Sequence, residues 1–444
     1  MIKTKDGNFI WAEEETYPRE KIREIQTERL KAVVKRVYEK VKPYRDKMDA
    51  IGLKPEDIRS LDDLKLLPFV TKQDMRDNYP FGLFAVPKSE LARIHASSGT
   101  TGKPTVVGYT ANDLKLWSEC VSRLAVMGGA VPEDICQICF GYGMFTGALG
   151  LHYGLENIGA CVIPSSTGNS QKQIMYMRDY GSTLLIATPS YACRLGEVAA
   201  EMGLNPKTDL SLKKMLVGSE PLSDPMREEM KRIFGSHVTI THNYGMSELI
   251  GPGVSGECTH LHGLHINEDH FICEIIDPKT GEILPEGETG ELVVTCLSKE
   301  ALPLIRYRTR DITSITYSPC TCGRTTARMA NLSGRTDDML KIRGVNVFPS
   351  QIEEVLLSTP EIGPHYEIII DKKNHSDILT VRVELAPGMM TDDYSQIDAI
   401  KTKLKNGLRL MLGLDAIVQI ESPNTLRRFE GKAKRVTDLR KQGE

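Results

Sequence analysis

The eleven residues His95-Ala96-Ser97-Ser98-Gly99-Thr100-Thr101-Gly102-Lys103-Pro104-Thr105 hold two serines, three threonines, two glycines and a lysine, with almost no apolar side chain. Backbone N–H groups, hydroxyls and one ammonium in such a loop can converge on an anion, phosphate foremost. The Gly-x4-Gly-Lys-Ser/Thr spacing is absent, so this is not a Walker A loop. Lys103-Pro104 directly after the second glycine suits a shaped turn better than a flexible Ser/Thr/Gly linker.

Further polar loops follow at wide spacing: Gly218-Ser219-Glu220-Pro221, Asn243-Tyr244-Gly245-Met246-Ser247-Glu248, Tyr307-Arg308-Thr309-Arg310-Asp311, Gly334-Arg335-Thr336-Asp337-Asp338-Met339-Leu340-Lys341 and Glu430-Gly431-Lys432-Ala433-Lys434-Arg435. Taken singly, each is as compatible with a structural turn as with a ligand site. A glycine-rich segment, Phe140 to Gly150, offers the apolar faces of Tyr142 and Phe145 beside Gly141, Gly143 and Gly147, room for an aromatic ring or for loop packing.

Cysteines form one suggestive group. Cys258, His260, His262 and His265 crowd into eight residues, and Cys320-Thr321-Cys322 sits in a turn after Ser318-Pro319. Cys258, His265, Cys320 and Cys322 could make a tetrahedral zinc site, with His260 or His262 as substitutes for His265. Free thiols in a turn are the simpler alternative. Cys136 and Cys139 lie in an apolar run at an odd separation, which sends their thiols to opposite faces and into packing.

The elements positioning these loops are legible in outline. Residues 18–49 have helical periodicity. From about residue 90, short apolar strands (135–140, 160–164, 183–187, 214–217, 237–242) alternate with helices (111–127, 225–233), the signature of a parallel sheet with crossover helices. Each strand ends in a Gly-, Ser- or Pro-rich loop, where open α/β sheets place ligands. After Gly263 the pattern turns to β, with Asp277–Gly281 a hairpin turn. A further unit holds helices at 350–357 and 394–412 and strands at 366–370 and 377–385.

At 444 residues the chain exceeds one core, and 40% hydrophobic with 26% charged residues describes an ordinary globular protein. A net charge of −3 gives no global pull toward nucleic acid or membrane, although the last 44 residues carry 11 Lys/Arg against 5 Asp/Glu. The polar N-terminus and the lack of a long apolar run imply no signal peptide or span and a cytoplasmic protein.

In their order these loops resemble the adenylate-forming acyl-CoA synthetase superfamily, from about residue 15 to 441, and Arg306–Glu353 with Phe140–Gly150 resembles its phenylacetate–CoA ligase branch. The resemblance implies an α/β fold: a large multi-subdomain N-terminal domain over 1–336, with parallel sheets and a β-rich subdomain at about 256–333, plus a small mobile α+β C-terminal domain over 337–444. It implies ATP, Mg²⁺ and CoA as partners of an aryl acid, and a homodimer. Ser97, Ser98, Gly99, Thr100, Thr101, Gly102 and Lys103 would hold the outer phosphates, and Glu248 would bind Mg²⁺. Tyr244 would stack on adenine within Asn243, Gly245, Met246 and Ser247, with Ser219, Glu220 and Pro221 lining the purine. Asp311, assisted by Arg335, would bind the ribose. Tyr142, Phe145, Gly147 and Gly218 would shape the aryl site.

Lys432 would be the catalytic lysine, with Lys434 a neighbour to be told apart from it and Glu430 a departure from the family's Ser. Asp337 would be the hinge, with Asp338 adjacent. Zinc, absent from some members, would be structural. Loading a carrier-protein thiol is the nearest rival activity. A non-catalytic nucleotide binder is a rival of another class, against which the joint presence of Lys432, Glu248 and Asp311 argues.

Overall fold

Five short apolar strands, Cys161–Ile163, Ile135–Ile138, Leu184–Ala187, Lys214–Val217 and Thr239–Met246, lie side by side in that order, all parallel. The computed structural model describes residues 2–3, 9–97, 104–343, 345–373, 376–386, 389 and 393–442. Crossover helices Gly147–Asn157, Ser170–Asp179, Pro189–Glu201 and Asp224–Phe234 join the strands. Three of these helices open on a side-chain cap: Asn169 accepts from Lys172 N–H, Thr188 from Tyr191 and Ser223 from Met226. Such caps satisfy donors that the first helical turn leaves free, so each polar strand-end loop doubles as a helix start. The sheet is buried on both faces. Cys136 and Ile138 belong to one apolar cluster, Cys139 and Leu185 to the other, so the two thiols do face opposite ways.

Local chemistry corrects one sequence-derived bound. The helix expected over 18–49 is two, Arg19–Lys40 and Lys42–Ala50, because Pro43 fits only in a first turn and the chain breaks at Val41. The β-rich stretch does not make one sheet. Gly251–Glu257, Leu264–Ile266, Arg328–Met329 and Ile315–Thr316 extend the parallel sheet with antiparallel strands. Phe271–Ile276, Gly290–Cys296, Tyr307–Thr313 and Gly334–Arg335 form a separate four-stranded antiparallel sheet. Its hairpin turns at Asp277, whose carboxylate accepts from Lys279 and Thr280 N–H, with Gly281 at φ +78°.

A smaller unit follows. Strands Ile417–Glu421, Ser376–Leu385, Ile362–Lys373 and Val436–Asp438 form a mixed sheet, accompanied by helices Pro349–Leu357 and Tyr394–Leu412. Its apolar cluster, from Ile342 to Val418, is distinct from both clusters of the larger domain. Among the described residues, Leu357 is the one side chain of this unit packed against a cluster of the first. No helix among the described residues is long and apolar enough to cross a membrane.

Candidate active site

Strands Arg93–Ala96 and Val106–Tyr109 pair antiparallel with Ala96 opposite Val106, which brings the two ends of the Ser/Thr/Gly segment together. Ser98, Gly99, Thr100, Thr101, Gly102 and Lys103 lie outside the described residues. At the base, Ser97 N–H bonds Thr105 O at 3.0 Å, while Ser97 Oγ is buried with no partner among the described residues. An unspent hydroxyl at the mouth of a donor-rich loop suits an oxyanion. His95 beside it is buried edge-on to Tyr109 and Trp117, and burial pushes its pKa down.

The glycine-rich segment meets this strand pair directly. Met144 O accepts from Ala96 N–H at 2.8 Å and lies 3.1 Å from His95 Nδ1. Tyr142 is half-buried with its hydroxyl 3.2 Å from His152 Nδ1, whereas Phe145 is exposed. A Cβ at Gly147 would stand 3.0 Å from the Phe145 ring, so the glycine lets that ring lie close. Thr146 Oγ1 and Ser247 Oγ, 2.9 Å apart, tie the segment to the 243–248 motif.

That motif ends the strand Thr239–Met246. A Cβ on Gly245 would fall 1.9 Å from Gly251 O, which requires glycine where this strand pairs with its antiparallel neighbour Gly251–Glu257. Asn243 Nδ2 donates to Val217 O at 2.8 Å, and a Cβ on Gly218 would meet that amide at 2.8 Å. Met246 is half-buried. Glu248 is buried, with Lys72 Nζ 3.5 Å from its carboxylate and Lys299 Nζ donating to its carbonyl at 3.4 Å. Lys299 is itself buried over the Tyr109 ring, and desolvation lowers its pKa. Neither lysine carries a local sequence signal. A buried carboxylate oxygen is the donor a hard cation such as Mg²⁺ takes.

Tyr244 and Asp311 are joined in a way their sequence positions do not announce. Tyr244 is buried, and its hydroxyl donates to Asp311 Oδ2 at 2.7 Å. The other oxygen accepts from Arg335 Nη1 at 2.8 Å, because strand register sets Arg335 opposite Asp311. Burial raises the Asp311 pKa, opposed by Arg335 and Tyr244. Arg335 reaches onward to Asp337 at 2.9 Å, and Asp338 lies beyond, its carboxyl raised by burial and by Asp337. Lys432 is exposed, and its charge opposes that rise at Asp338.

The turn 218–221 reaches the smaller unit through Glu220. Ser219 holds φ +66°, a costly left-handed conformation for a side chain with a Cβ, and Pro221 follows the glutamate. The Glu220 carboxylate is spent on protein donors: Ser190 Oγ at 2.9 Å, Ser190 N–H at 3.1 Å and Ala433 N–H at 2.5 Å. It therefore bridges to the smaller unit. Further polar contacts cross the boundary. Glu197 meets His365 at 2.5 Å and Arg428 at 3.6 Å, and Ser223 meets Glu353 at 3.4 Å.

Cys258, His265, Cys320 and Cys322 come together, their ligand atoms all within 4.8 Å of one another and all four residues buried. Sulfurs bound at about 2.3 Å around a tetrahedral ion stand about 3.8 Å apart, and a sulfur and an imidazole nitrogen about 3.5 Å. Cys258 and Cys320 are 3.8 Å apart, and Cys322 lies 3.5 Å from His265 Nε2. His265 Nδ1 faces Thr326 Oγ1 at 3.1 Å, the outer partner that orients a ligating ring. Cys258 and the His265 imidazole pull the Cys322 thiol toward thiolate, and Arg324 donates to its sulfur at 3.7 Å. These residues fit Zn²⁺. His260 instead has Nδ1 2.9 Å from Thr321 Oγ1.

Fold and site together define an adenylate-forming enzyme of two domains. The AMP-binding enzyme model matches residues 14–296, and the AMP-binding enzyme C-terminal domain matches 344–440. A phenylacetate-coenzyme A ligase of Thermus thermophilus is 47% identical over 441 residues, 96% of this chain and 98% of that protein. The chain belongs to the phenylacetate–CoA ligase family. A 2-hydroxyisobutyryl-CoA ligase in its postadenylation state, in complex with R3-HIB-AMP, superposes with TM-score 0.91 at 28% identity over 97% of this chain and 92% of its own. The same ligase with 2-HIB-AMP and CoA in its thioesterification state gives 0.72 at 28% identity, over 100% and 95%. The two-domain arrangement here is thus the nearer of the two to the postadenylation one.

Proposed function

We propose that this chain activates an aryl acid, phenylacetate or a close arylacetate, with ATP as an acyl-adenylate and diphosphate, then passes the acyl group to CoA with release of AMP. A carboxylate is a poor electrophile because its leaving group would be oxide; transfer to the α-phosphate supplies a good one. The observation that carries the reading is the Tyr244–Asp311–Arg335 group in a domain to which the backbone on either side of Lys432 is hydrogen-bonded, Gly431 O to Thr188 and Ser190 and Ala433 N–H to Glu220.

In this reading the Ser/Thr/Gly segment holds the outer phosphates, Asp311 accepts from the ribose hydroxyls, and the Lys432 ammonium neutralises charge developing on the transferring group. Glu248 would hold Mg²⁺, which offsets phosphate charge when bound. Tyr142, Phe145 and Gly147 shape the acyl site, and Asp337, held by Arg335, sits at the hinge between half-reactions. Cys258, His265, Cys320 and Cys322 hold a structural zinc. A cytoplasmic location, in keeping with ten cysteines of which none is in a disulfide, and a homodimer complete the reading.

The test is a panel of phenylacetate, hydroxyphenylacetate, indoleacetate, benzoate and fatty acids with ATP and CoA, monitored for AMP. Arylacetates should lead. AMP release favouring fatty acids, or requiring a carrier-protein thiol in place of CoA, would overturn the substrate or the acceptor.

A further inference from the structure

The backbone on both sides of Lys432 is fastened to the larger domain. Gly431 O accepts from Thr188 Oγ1 at 3.3 Å and Ser190 Oγ at 3.5 Å. Ala433 N–H donates to Glu220 Oε1 at 2.5 Å. One residue earlier, Glu430 Oε1 accepts from Ser170 Oγ at 3.1 Å. Thr188 and Ser190 open the helix Pro189–Glu201, and Glu220 also accepts from Ser190 N–H and Oγ, so its charge sits at that helix N-terminus. Glu220 is therefore held within its own domain and reaches across with the same oxygen.

The smaller unit keeps its end rigid as well. Arg435 O accepts from Ile368 N–H at 2.7 Å, and the Arg435 side chain pairs with Glu353 at 3.2 Å and lies over the Tyr366 ring. Strand Val436–Asp438 then joins the sheet, with Val436 opposite Ile368. Three residues thus span a fixed strand and a fixed carboxylate, with Lys432 just before them. Little freedom is left to that backbone while the Glu220 contact holds.

We propose that Glu220 is a positioning residue for adenylation: its carboxylate latches the Ala433 N–H so that Lys432 is presented in the arrangement seen here, and the latch opens for thioester formation. The inference rests on the reading of Lys432 as the adenylation lysine. Desolvation raises the pKa of this carboxyl, opposed by Arg435 and its hydrogen bonds, so the latch is one that protonation weakens.

The test uses the full-length enzyme and its two half-reactions: phenylacetate-dependent ATP–diphosphate exchange, and conversion of preformed phenylacetyl-adenylate with CoA. Glu220→Ala should lower kcat of exchange by roughly ten- to a hundredfold, the weight of a charge-assisted hydrogen bond, at unchanged KM for ATP. The second half-reaction should stay within about twofold of wild type, because the latch is open there. Glu220→Gln, which keeps size and one acceptor, should show a smaller loss confined to exchange, and it carries the comparison if the alanine variant does not fold.

Equal losses in both half-reactions, a raised KM for ATP at unchanged kcat, or unchanged exchange in both variants would overturn the proposal. Lys432→Ala run in parallel separates the two readings. If it keeps exchange, the lysine assignment fails; if it loses exchange while both Glu220 variants keep it, the latch alone fails.

Discussion

Removing one oxygen atom, Tyr244→Phe, tests whether Tyr244 serves by its ring or by its hydroxyl. The ring stays buried and free to offer a face to a base, but the 2.7 Å donation to Asp311 is lost. Asp311 is 3% exposed and then keeps Arg335 as its charged partner. Losing a hydrogen bond to a buried carboxylate costs about 1.5–3 kcal/mol, or roughly 10- to 150-fold in kcat/KM for ATP if the ionised carboxylate is what binds. The sign with pH follows. Burial already raises the Asp311 pKa above the ordinary carboxylate value, so ribose binding fails as pH falls through that raised value. The tyrosine opposes the rise, so its removal moves the acid limb up by about one pH unit for each 1.4 kcal/mol. The assay is kcat/KM for ATP in diphosphate exchange across pH, with thermal unfolding to check the fold. A phenylalanine variant with the wild-type acid limb and wild-type kcat/KM would refute the reasoning and leave the ring as the functional part.

Three further outcomes are expected. Lys432→Ala should cut acyl-adenylate formation by about 10²–10³ while thioester formation from preformed adenylate survives, read in the two half-reactions separately. Elemental analysis should find about one zinc per chain, lost together with several degrees of melting temperature in Cys320→Ser and Cys322→Ser; metal-free enzyme of full stability would defeat that assignment. Gly245→Ala puts a Cβ 1.9 Å from the Gly251 carbonyl, so the strands must part and stability should fall by about 3 kcal/mol in a denaturant melt; a loss under about 1 kcal/mol would show that the pairing yields.

Local signals carried far in the sequence. Helices Ala111–Met127 and Tyr394–Leu412 lie where periodicity and their caps, Thr110 and Asp393, set them. The Cys-x-Cys turn found its partners because sulfur clusters are rare and conspicuous. The misses are non-local. Leu264–Ile266 and Phe271–Ile276 are neighbours in sequence and alike in pattern, yet they pair into different sheets, and nothing in either names its partner. Glu220 reaches a residue 213 positions away, and Tyr244 one 67 away. A glutamate before a proline at a strand end reads as a turn, and only the docked second domain shows what its carboxylate is for.

The boundary between the two domains is almost all carboxylate, hydroxyl, imidazole and guanidinium, with Leu357 the one apolar side chain of the smaller unit packed on the other's core among the described residues. Parting it exposes little hydrocarbon to water, so the separation carries a small heat-capacity change and its balance drifts little with temperature. Its charges, by contrast, are screened over about 8 Å at physiological ionic strength. Such a joint is set by the ionic medium more than by warmth, and added salt should favour its opening.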